Sequence, residues 1–158
     1  MTRLKKFAGR GARAAWLASR FVVRDPSAAW LIVRMAFWVA LLSSLVRVMP
    51  LPRVMRLMRP RRRTPEPETD PAAVQARLAH LLDLLLATDF LCFTPTCWKR
   101  APVLHRFLAL RGIETRVLFG VRREGAHGLA GHAWLEAGGL PVLEQSTPDY
   151  TVTFAFPA

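Results

Sequence analysis

The sequence lacks the features that define several large classes of protein. Two cysteines, Cys92 and Cys97, are too few for a disulfide framework, so we expect free thiols in a reducing, cytoplasmic compartment. The basic start has no apolar core typical of a secretory signal. The best candidate for a transmembrane segment, at 30–46, is interrupted by Arg34, and the uninterrupted run from Met35 to Val46 is too short to span a bilayer. No nucleic-acid-binding motif is present, which argues against a nucleic-acid partner.

Acidic residues are almost missing from the first part of the chain. Residues 1–63 carry 15 Lys/Arg and one acid, Asp25, for a net charge of +14, whereas residues 64–158 carry a net charge of −2. Basic segments bind anionic partners. The proline-rich, charged stretch at 59–70 is typical of an exposed linker. We therefore predict a basic, helical region at 1–63 for partner docking and a second domain at 64–158. Peripheral membrane contact by the apolar helix is the alternative.

Three helices are predicted from their end signals. Asp25-Pro26 and Asp70-Pro71 each give an N-cap followed by proline at the first helical position, and Pro50 lies beyond the first helix. The third helix should begin near Thr96 and stop at Gly112, with Pro102 as a point of kinking or restart. The second helix has an apolar stripe that predicts core packing, formed by Val74, Leu78, Leu81, Leu82, Leu85 and Leu86.

After Gly112 the pattern changes to strands. Residues 113–121 and 150–156 are rich in β-forming residues, and two strands at 132–137 and 140–145 flank Gly138-Gly139, a hairpin signal. Helices followed by an antiparallel sheet predict an α+β domain.

Cys97 lies where a reactive thiol would be stabilised. The N-terminus of a helix carries positive partial charge, and Lys99 and Arg100 add to it, so a thiolate there is favoured. The alternative is that Cys97 is an unreactive, small apolar residue buried in the core. A thiolate nucleophile needs a histidine as base and a third group to orient that histidine.

Four histidines could supply the base, and we favour His132 because a strand holds it rigidly. His80 fits a helix surface or packing role, and His105 is two turns from Cys97, about 12 Å along the axis. His127 lies in a glycine-rich loop. Cys92 and Cys97 with His127 and His132 also form a C-x4-C and H-x4-H pattern, but its spacing suits zinc poorly, and Cys92 fits core packing better.

The register of the hairpin decides which residue orients His132. A two-residue loop at Gly138-Gly139 places Gln145 opposite His132 and points Glu144 to the other face. A three-residue loop puts Glu144 on the His132 face, since one residue of slip exchanges the faces. Spacing alone leaves Glu144 and Gln145 open, with Asp149 more distant.

These residues resemble a known family. Cys97-Trp98, the run LALRGIETRVLFGVR at 108–122 and GHAWLEAGGLPVLE at 131–144 are similar to the transglutaminase-like cysteine enzymes, and more narrowly to the B2 leader peptidases of lasso peptide biosynthesis. The resemblance covers roughly residues 70–146. It implies a papain/transglutaminase-like core in which the helix bearing the cysteine packs on an antiparallel sheet.

The resemblance also implies an activity. Cys97 matches the nucleophile, His132 the base, and Glu144 the place of an aspartate twelve residues after the histidine, which favours the three-residue loop. The implied enzyme is a cysteine protease that removes the leader from a ribosomally made lasso precursor peptide. It would need no metal or other cofactor. Its expected partners are the precursor, a B1-type leader-recognition protein and a lasso cyclase. The alternatives are a transglutaminase-like acyl transferase and a non-enzymatic basic binding module.

Overall fold

Helices precede strands in the computed structural model, which describes residues 25–60, 70–125, 128–144 and 148–157. This order confirms the predicted α+β class. Within those ranges the helices are α1 Pro26–Leu45, α2 Leu51–Met58, α3 Pro71–Leu86 and α4 Cys97–Ala109, and the strands are β1 Arg116–Glu124, β2 Gly128–Ala137, β3 Leu140–Val142 and β4 Thr151–Phe156.

Carboxylate caps start two of the helices, as predicted. Asp25 Oδ1 accepts hydrogen bonds from the backbone N–H groups of Ser27 at 3.0 Å and Ala28 at 3.1 Å. Asp70 Oδ1 accepts from the Ala73 N–H at 3.0 Å. Each bond satisfies an N–H that the helix itself leaves without a partner.

One helix was not expected. Pro50 was expected only to follow the end of α1, but it is also the N-cap residue of α2, which runs from Leu51 to Met58. Proline suits the start of a helix because its fixed φ fits and its missing N–H is not needed there. The chain therefore turns after α1 and continues as a second helix, in which Val54, Met55 and Met58 are buried.

A single buried core runs through the helices and the inner face of the sheet. It includes residues on both sides of position 63, so α1 and α2 pack with the rest of the described chain. The role of residues 1–63 in partner docking stays a prediction. The predicted stripe of α3 is buried or half-buried throughout. Fully buried side chains include Met35, Val39, Leu42, Met55, Leu82, Leu104, Leu108 and Val117.

The helix α4 begins after Thr96 and passes through Pro102, which is buried within it. The regular helix ends at Ala109, and the turns that follow are closed by a glycine, as predicted. Gly112 has φ +74°, and the N–H of Ile113 donates back to the Leu108 carbonyl at 3.0 Å. This is the left-handed termination that glycine permits without a steric penalty.

The sheet is antiparallel with strand order β3-β2-β1-β4. Ala137 pairs with Leu140 across Gly138 and Gly139, whose φ angles are +59° and +82°. The loop therefore has two residues, and the three-residue loop favoured by the resemblance is wrong. The physical reason is that two consecutive glycines adopt the two positive φ angles of a type I′ turn, which closes a hairpin of this length.

Candidate active site

Cys97 is the first residue of α4, and the loop before it is tightly folded. Asp89 and Leu91 adopt positive φ angles of +47° and +53°, and an isolated β-bridge joins Phe90 to Phe93. Left-handed conformations of non-glycine residues cost free energy and persist only where the surroundings fix them. The half-buried Cys97 side chain packs against the core directly after this loop.

Lys99 anchors that loop. Its side chain is buried, and Nζ donates to the Cys92 carbonyl at 2.9 Å and to the Thr94 hydroxyl. Nζ also lies 5.1 Å from the centroid of the Trp98 ring, a cation–π contact. From its position two residues after Cys97, Lys99 was expected to stabilise the thiolate. In the structure its hydrogen bonds go to the loop, so its direct effect is to hold the segment that leads into Cys97.

Thr96 occupies the N-cap position but makes no side-chain cap. Its carbonyl accepts from the N–H groups of Lys99 and Arg100, both at 3.1 Å, while its buried hydroxyl has no hydrogen-bond partner among the described residues. The hydroxyl therefore does not occupy the amides of the first turn. Those amides give the N-terminus of α4, where Cys97 lies, a positive partial charge.

The structure brings His132 and Glu144 together. His132 Nε2 lies 3.6 Å from Glu144 Oε2, and about three quarters of each side chain is shielded from solvent. The two-residue loop alone would aim Glu144 at the other face. However, β3 ends at Val142, and Leu143 adopts φ +62°. This left-handed residue takes the chain out of the ladder and redirects Glu144 toward the imidazole.

Aromatic rings surround His132. Its ring stacks with Trp134 at a centroid distance of 5.9 Å and lies 5.3 Å from Tyr150. Gly120 pairs with His132 on the neighbouring strand, and a Cβ at position 120 would come within 2.8 Å of Tyr150 Cβ. The guanidinium of Arg122 lies over the Tyr150 ring at 4.8 Å. Glycine at this position thus makes room for the packing around the imidazole.

Side chains along β2 alternate between two environments. Ala133 and Leu135 belong to the core shared with the helices, so His132 and Trp134 point to the other face of the strand. The helix α4 packs on β2. No hydrogen bond joins Cys97 to His132 within the described part of the chain. The structure therefore pairs the predicted base with the predicted acid and leaves the thiol outside that pair.

Arg100 connects the start of α4 to Glu144 electrostatically. Its Nε and terminal nitrogen donate to the two carboxylate oxygens of Asp83 at 2.7 and 3.1 Å. The hydrogen bond to Asp83, and the negative charges of Asp83 and Glu144, raise the pKa of Arg100 above its ordinary value against the opposing effect of burial. Glu144 thus lies in the field of a cation one turn from Cys97.

The other candidate residues have different surroundings. His80 is exposed on α3, as a helix-surface role predicts. His105 is buried, and its Nδ1 lies 3.0 Å from the Thr115 hydroxyl. It lines a cavity of about 240 Å³ that also borders Glu136 and Gly112, toward the C-terminal end of α4. Asp149 is exposed, half-buried Cys92 is not part of the core, and His127 and Gln145 lie outside the described residues.

Two features of the site were not predicted from the sequence: the ion pair of Arg100 with Asp83, and the contacts of His132 with Trp134 and Tyr150. The spacing of His132 and Trp134, two residues apart on one strand, was the available signal. No sequence signal indicated that Tyr150 lies beside His132, because the position of Tyr150 depends on the pairing of β1 with β4. Among the described residues, no group of three or more His, Cys, Asp or Glu side chains is placed to hold a metal ion. The zinc interpretation also involves His127, outside those residues.

The family of this chain follows from its match to a known family. A family model described as the transglutaminase-like superfamily matches residues 28–155. The chain belongs to the transglutaminase-like superfamily. No curated protein and no solved structure matches it significantly. The superfamily match begins within α1 and ends within β4. It supports a fold of the cysteine protease and acyltransferase type.

Proposed function

We propose that this transglutaminase-like protein is a cysteine peptidase that removes the leader from a ribosomally made lasso precursor peptide. The observation that carries the proposal is a cysteine at the start of α4 in a transglutaminase-like chain, together with the pairing of His132 on β2 with Glu144 just after β3. The narrower assignment to lasso peptides rests on the motif resemblance around Cys97, His132 and Glu144.

In the proposed reaction the Cys97 thiolate attacks the scissile carbonyl carbon and forms a tetrahedral intermediate. The Cys97 backbone N–H, at the helix N-terminus, donates to the oxyanion. His132 accepts the thiol proton and then gives a proton to the leaving amine, which breaks the peptide bond and leaves a thioester. Water hydrolyses the thioester. Glu144 orients the imidazole through its carboxylate.

Proton transfer requires the imidazole and the thiol to come within hydrogen-bond reach. Catalytic hydrogen bonds are often long without substrate and tighten in the substrate complex. In this protein His132 points to the face of β2 away from α4, so the step calls for rotation of its side chain around the β2 edge. The edge is open there, because β3 pairs only with Leu135 to Ala137 and leaves the backbone beside His132 without a strand partner from β3.

The partners that go with this function are the precursor peptide, a B1-type leader-recognition protein that presents it, and a lasso cyclase that uses the freed core peptide. The compartment is the cytoplasm. Each is part of the proposal and follows from the family resemblance.

The test is the intact mass of a cognate precursor peptide after incubation with the full-length protein and its recognition protein. We expect two fragments from the wild type and none from Cys97→Ala. Cys92→Ala is the matched control, since it removes the other thiol five residues away, and it should retain cleavage. Uncleaved precursor with both folded wild type and folded Cys97→Ala would contradict the proposal.

The superfamily also supports acyl transfer, in which an amine replaces water at the thioester. The same mass measurement separates the two reactions. An adduct between the precursor and an added amine, dependent on Cys97, would assign the protein as an acyl transferase. Polyanion binding with no effect of Cys97→Ala on function would assign it as a basic binding module.

A further inference from the structure

The helix α1 is apolar on both sides but buries only one of them. Trp30, Val33 and Phe37, three or four residues apart, lie on one face and are 64%, 57% and 60% exposed. The opposite face carries Met35 and Val39, which are fully buried in the core. Large apolar side chains grouped in this way mark an interaction surface. We call Trp30, Val33 and Phe37 the outer α1 face.

The helices that lie next to one another along this part of the chain carry several exposed arginines and few acids. Arg34 is exposed on α1, with its guanidinium 5.7 Å from the centroid of the Phe107 ring, and Arg47 is exposed in the turn after the helix. Arg53 and Arg56 are exposed on α2, and Arg59 is exposed directly after it. The only acid before residue 64 is Asp25. Asp25 caps α1, and its carboxylate accepts from the backbone N–H groups of Ser27 and Ala28 and from Arg77 at 3.1 Å, so it is already engaged by donors.

We infer that the outer α1 face seats in the surface of an anionic lipid bilayer. Tryptophan and phenylalanine enter the interface between head groups and acyl chains, and neighbouring arginines attract anionic head groups. A helical region that carries an exposed aromatic face and charges almost entirely of positive sign suits a lipid surface of uniform negative charge. The net charge of +14 in residues 1–63, against −2 in the remainder, orients the molecule toward such a surface.

The helix lies on the bilayer and does not cross it. By length and composition α1 is apolar enough to span a membrane. Its inner side chains, however, pack with α3 and α4, and a crossing helix would have to leave that core. The sheet packs on α4 rather than on α1. When the outer α1 face contacts the bilayer, the sheet, with His132 and Glu144, therefore faces the water.

The experiment is flotation of the full-length protein with vesicles of phosphatidylcholine alone or mixed with phosphatidylserine. The variant Trp30→Ser/Phe37→Ser removes the two rings of the outer α1 face. The matched control is Leu129→Ser/Leu140→Ser, which removes two side chains of the sheet that are 74% and 72% exposed. Circular dichroism first establishes that all three proteins are folded.

We expect the wild type and the control to bind the anionic vesicles equally, and the Trp30→Ser/Phe37→Ser variant to bind at least about tenfold more weakly. Added salt should weaken wild-type binding, and neutral vesicles should bind little protein. Quenching by brominated lipids should be smaller for Trp30→Phe than for the wild type.

Equal binding of Trp30→Ser/Phe37→Ser and wild type would overturn the inference, as would no wild-type binding to anionic vesicles. Concentration-dependent dimerisation that the double variant abolishes, without vesicle binding, would assign the face to a second copy of the chain. Binding of the recognition protein that only the double variant loses, again without vesicle binding, would assign it to that protein. These results are independent of precursor cleavage.

Discussion

Gly120 shows how a single side chain shapes the surroundings of His132. A Cβ there would lie 2.8 Å from Tyr150 Cβ and 3.0 Å from two ring carbons of Trp134. Contacts this short require the rings or the backbone to shift, and the sheet holds both. Gly131, one pair further along β1 and β2, offers the comparison, because a Cβ there meets only the Gly120 carbonyl at 4.0 Å.

We therefore expect Gly120→Ala to destabilise the fold by about 1–3 kcal/mol through overpacking. Gly131→Ala should change the free energy of unfolding by no more than about 0.5 kcal/mol. Urea unfolding followed by circular dichroism measures both. Equal effects of the two substitutions would show that the Trp134–Tyr150 packing does not limit position 120.

The His132–Glu144 pair makes a prediction about the reactivity of the thiol. If His132 acts as the base, His132→Ala should slow precursor cleavage by about 10²-fold or more. It should also lower the alkylation rate of Cys97 by iodoacetamide near neutral pH, measured in a Cys92→Ala background. Glu144→Gln should reduce cleavage less, since the amide can still orient the ring. Unchanged cleavage and alkylation in His132→Ala would remove His132 from the mechanism.

At the same scale, the sequence could supply the identities of Cys97, His132 and Glu144 but not their arrangement. The choice of Glu144 as the residue that orients His132 rests on the family resemblance, and the three-residue hairpin loop inferred with it is wrong. Its proximity to His132 depends on the φ angle of Leu143, which no residue pattern predicts because leucine rarely adopts it. The position of Tyr150 beside His132 depends on a register shift between Phe119 and Gly120 in the β1–β4 pairing, which the sequence does not predict.

Among the elements, α1 depends on the ionised form of its cap. Hydrogen bonds from Ser27 and Ala28, with the charge of Arg77, lower the pKa of Asp25 below its ordinary value of 3.8. A carboxyl with a lowered folded pKa contributes stability above its unfolded pKa, and this contribution is lost as the pH falls through the folded pKa.

Asp25→Asn keeps an oxygen that can accept the cap bonds but removes the titration. Thermal melts from about pH 6 to about pH 2.5 should show the wild type more stable than Asp25→Asn at the upper end, with the difference closing below about pH 4. Asp70→Asn is the comparison at the start of α3. A difference for Asp25→Asn that stays constant over the whole range would contradict the role of ionised Asp25.

Element prediction succeeded where end signals were unambiguous and failed where one residue serves two purposes. Asp25-Pro26, Asp70-Pro71 and Gly112 marked helix ends correctly. Pro50 both follows α1 and caps α2, and the sequence pattern alone suggested only the first. The α2 segment LPRVMRLM also has few consecutive apolar residues, so its buried positions become evident only from its packing.

For the whole molecule, the shared core changes what truncation can show. Because α1 and α2 place side chains such as Val39 and Met55 at its centre, removing residues 1–63 would expose core surface as well as remove a docking region. Loss of partner binding in such a deletion would have two causes. Substitutions confined to the outer α1 face avoid this difficulty.

Two valines on α1 test the shared core directly. Val39 is fully buried, and Val33 is 57% exposed. Val39→Ala should destabilise the whole chain by about 2 kcal/mol, while Val33→Ala should stay within about 0.5 kcal/mol. A single cooperative transition shifted by Val39→Ala, seen equally in helix and sheet signals, is expected. Separate transitions for helices and sheet would show instead that α1 is not part of one folding unit.

The turn at Leu143 makes the count of residues after the hairpin matter as much as their chemistry. In a regular ladder, the face on which a side chain emerges depends on whether its distance from the glycine turn is odd or even. The left-handed residue breaks that parity once, between Val142 and Glu144. An insertion or deletion of one residue in this short stretch would therefore separate the carboxylate from the imidazole without changing either residue.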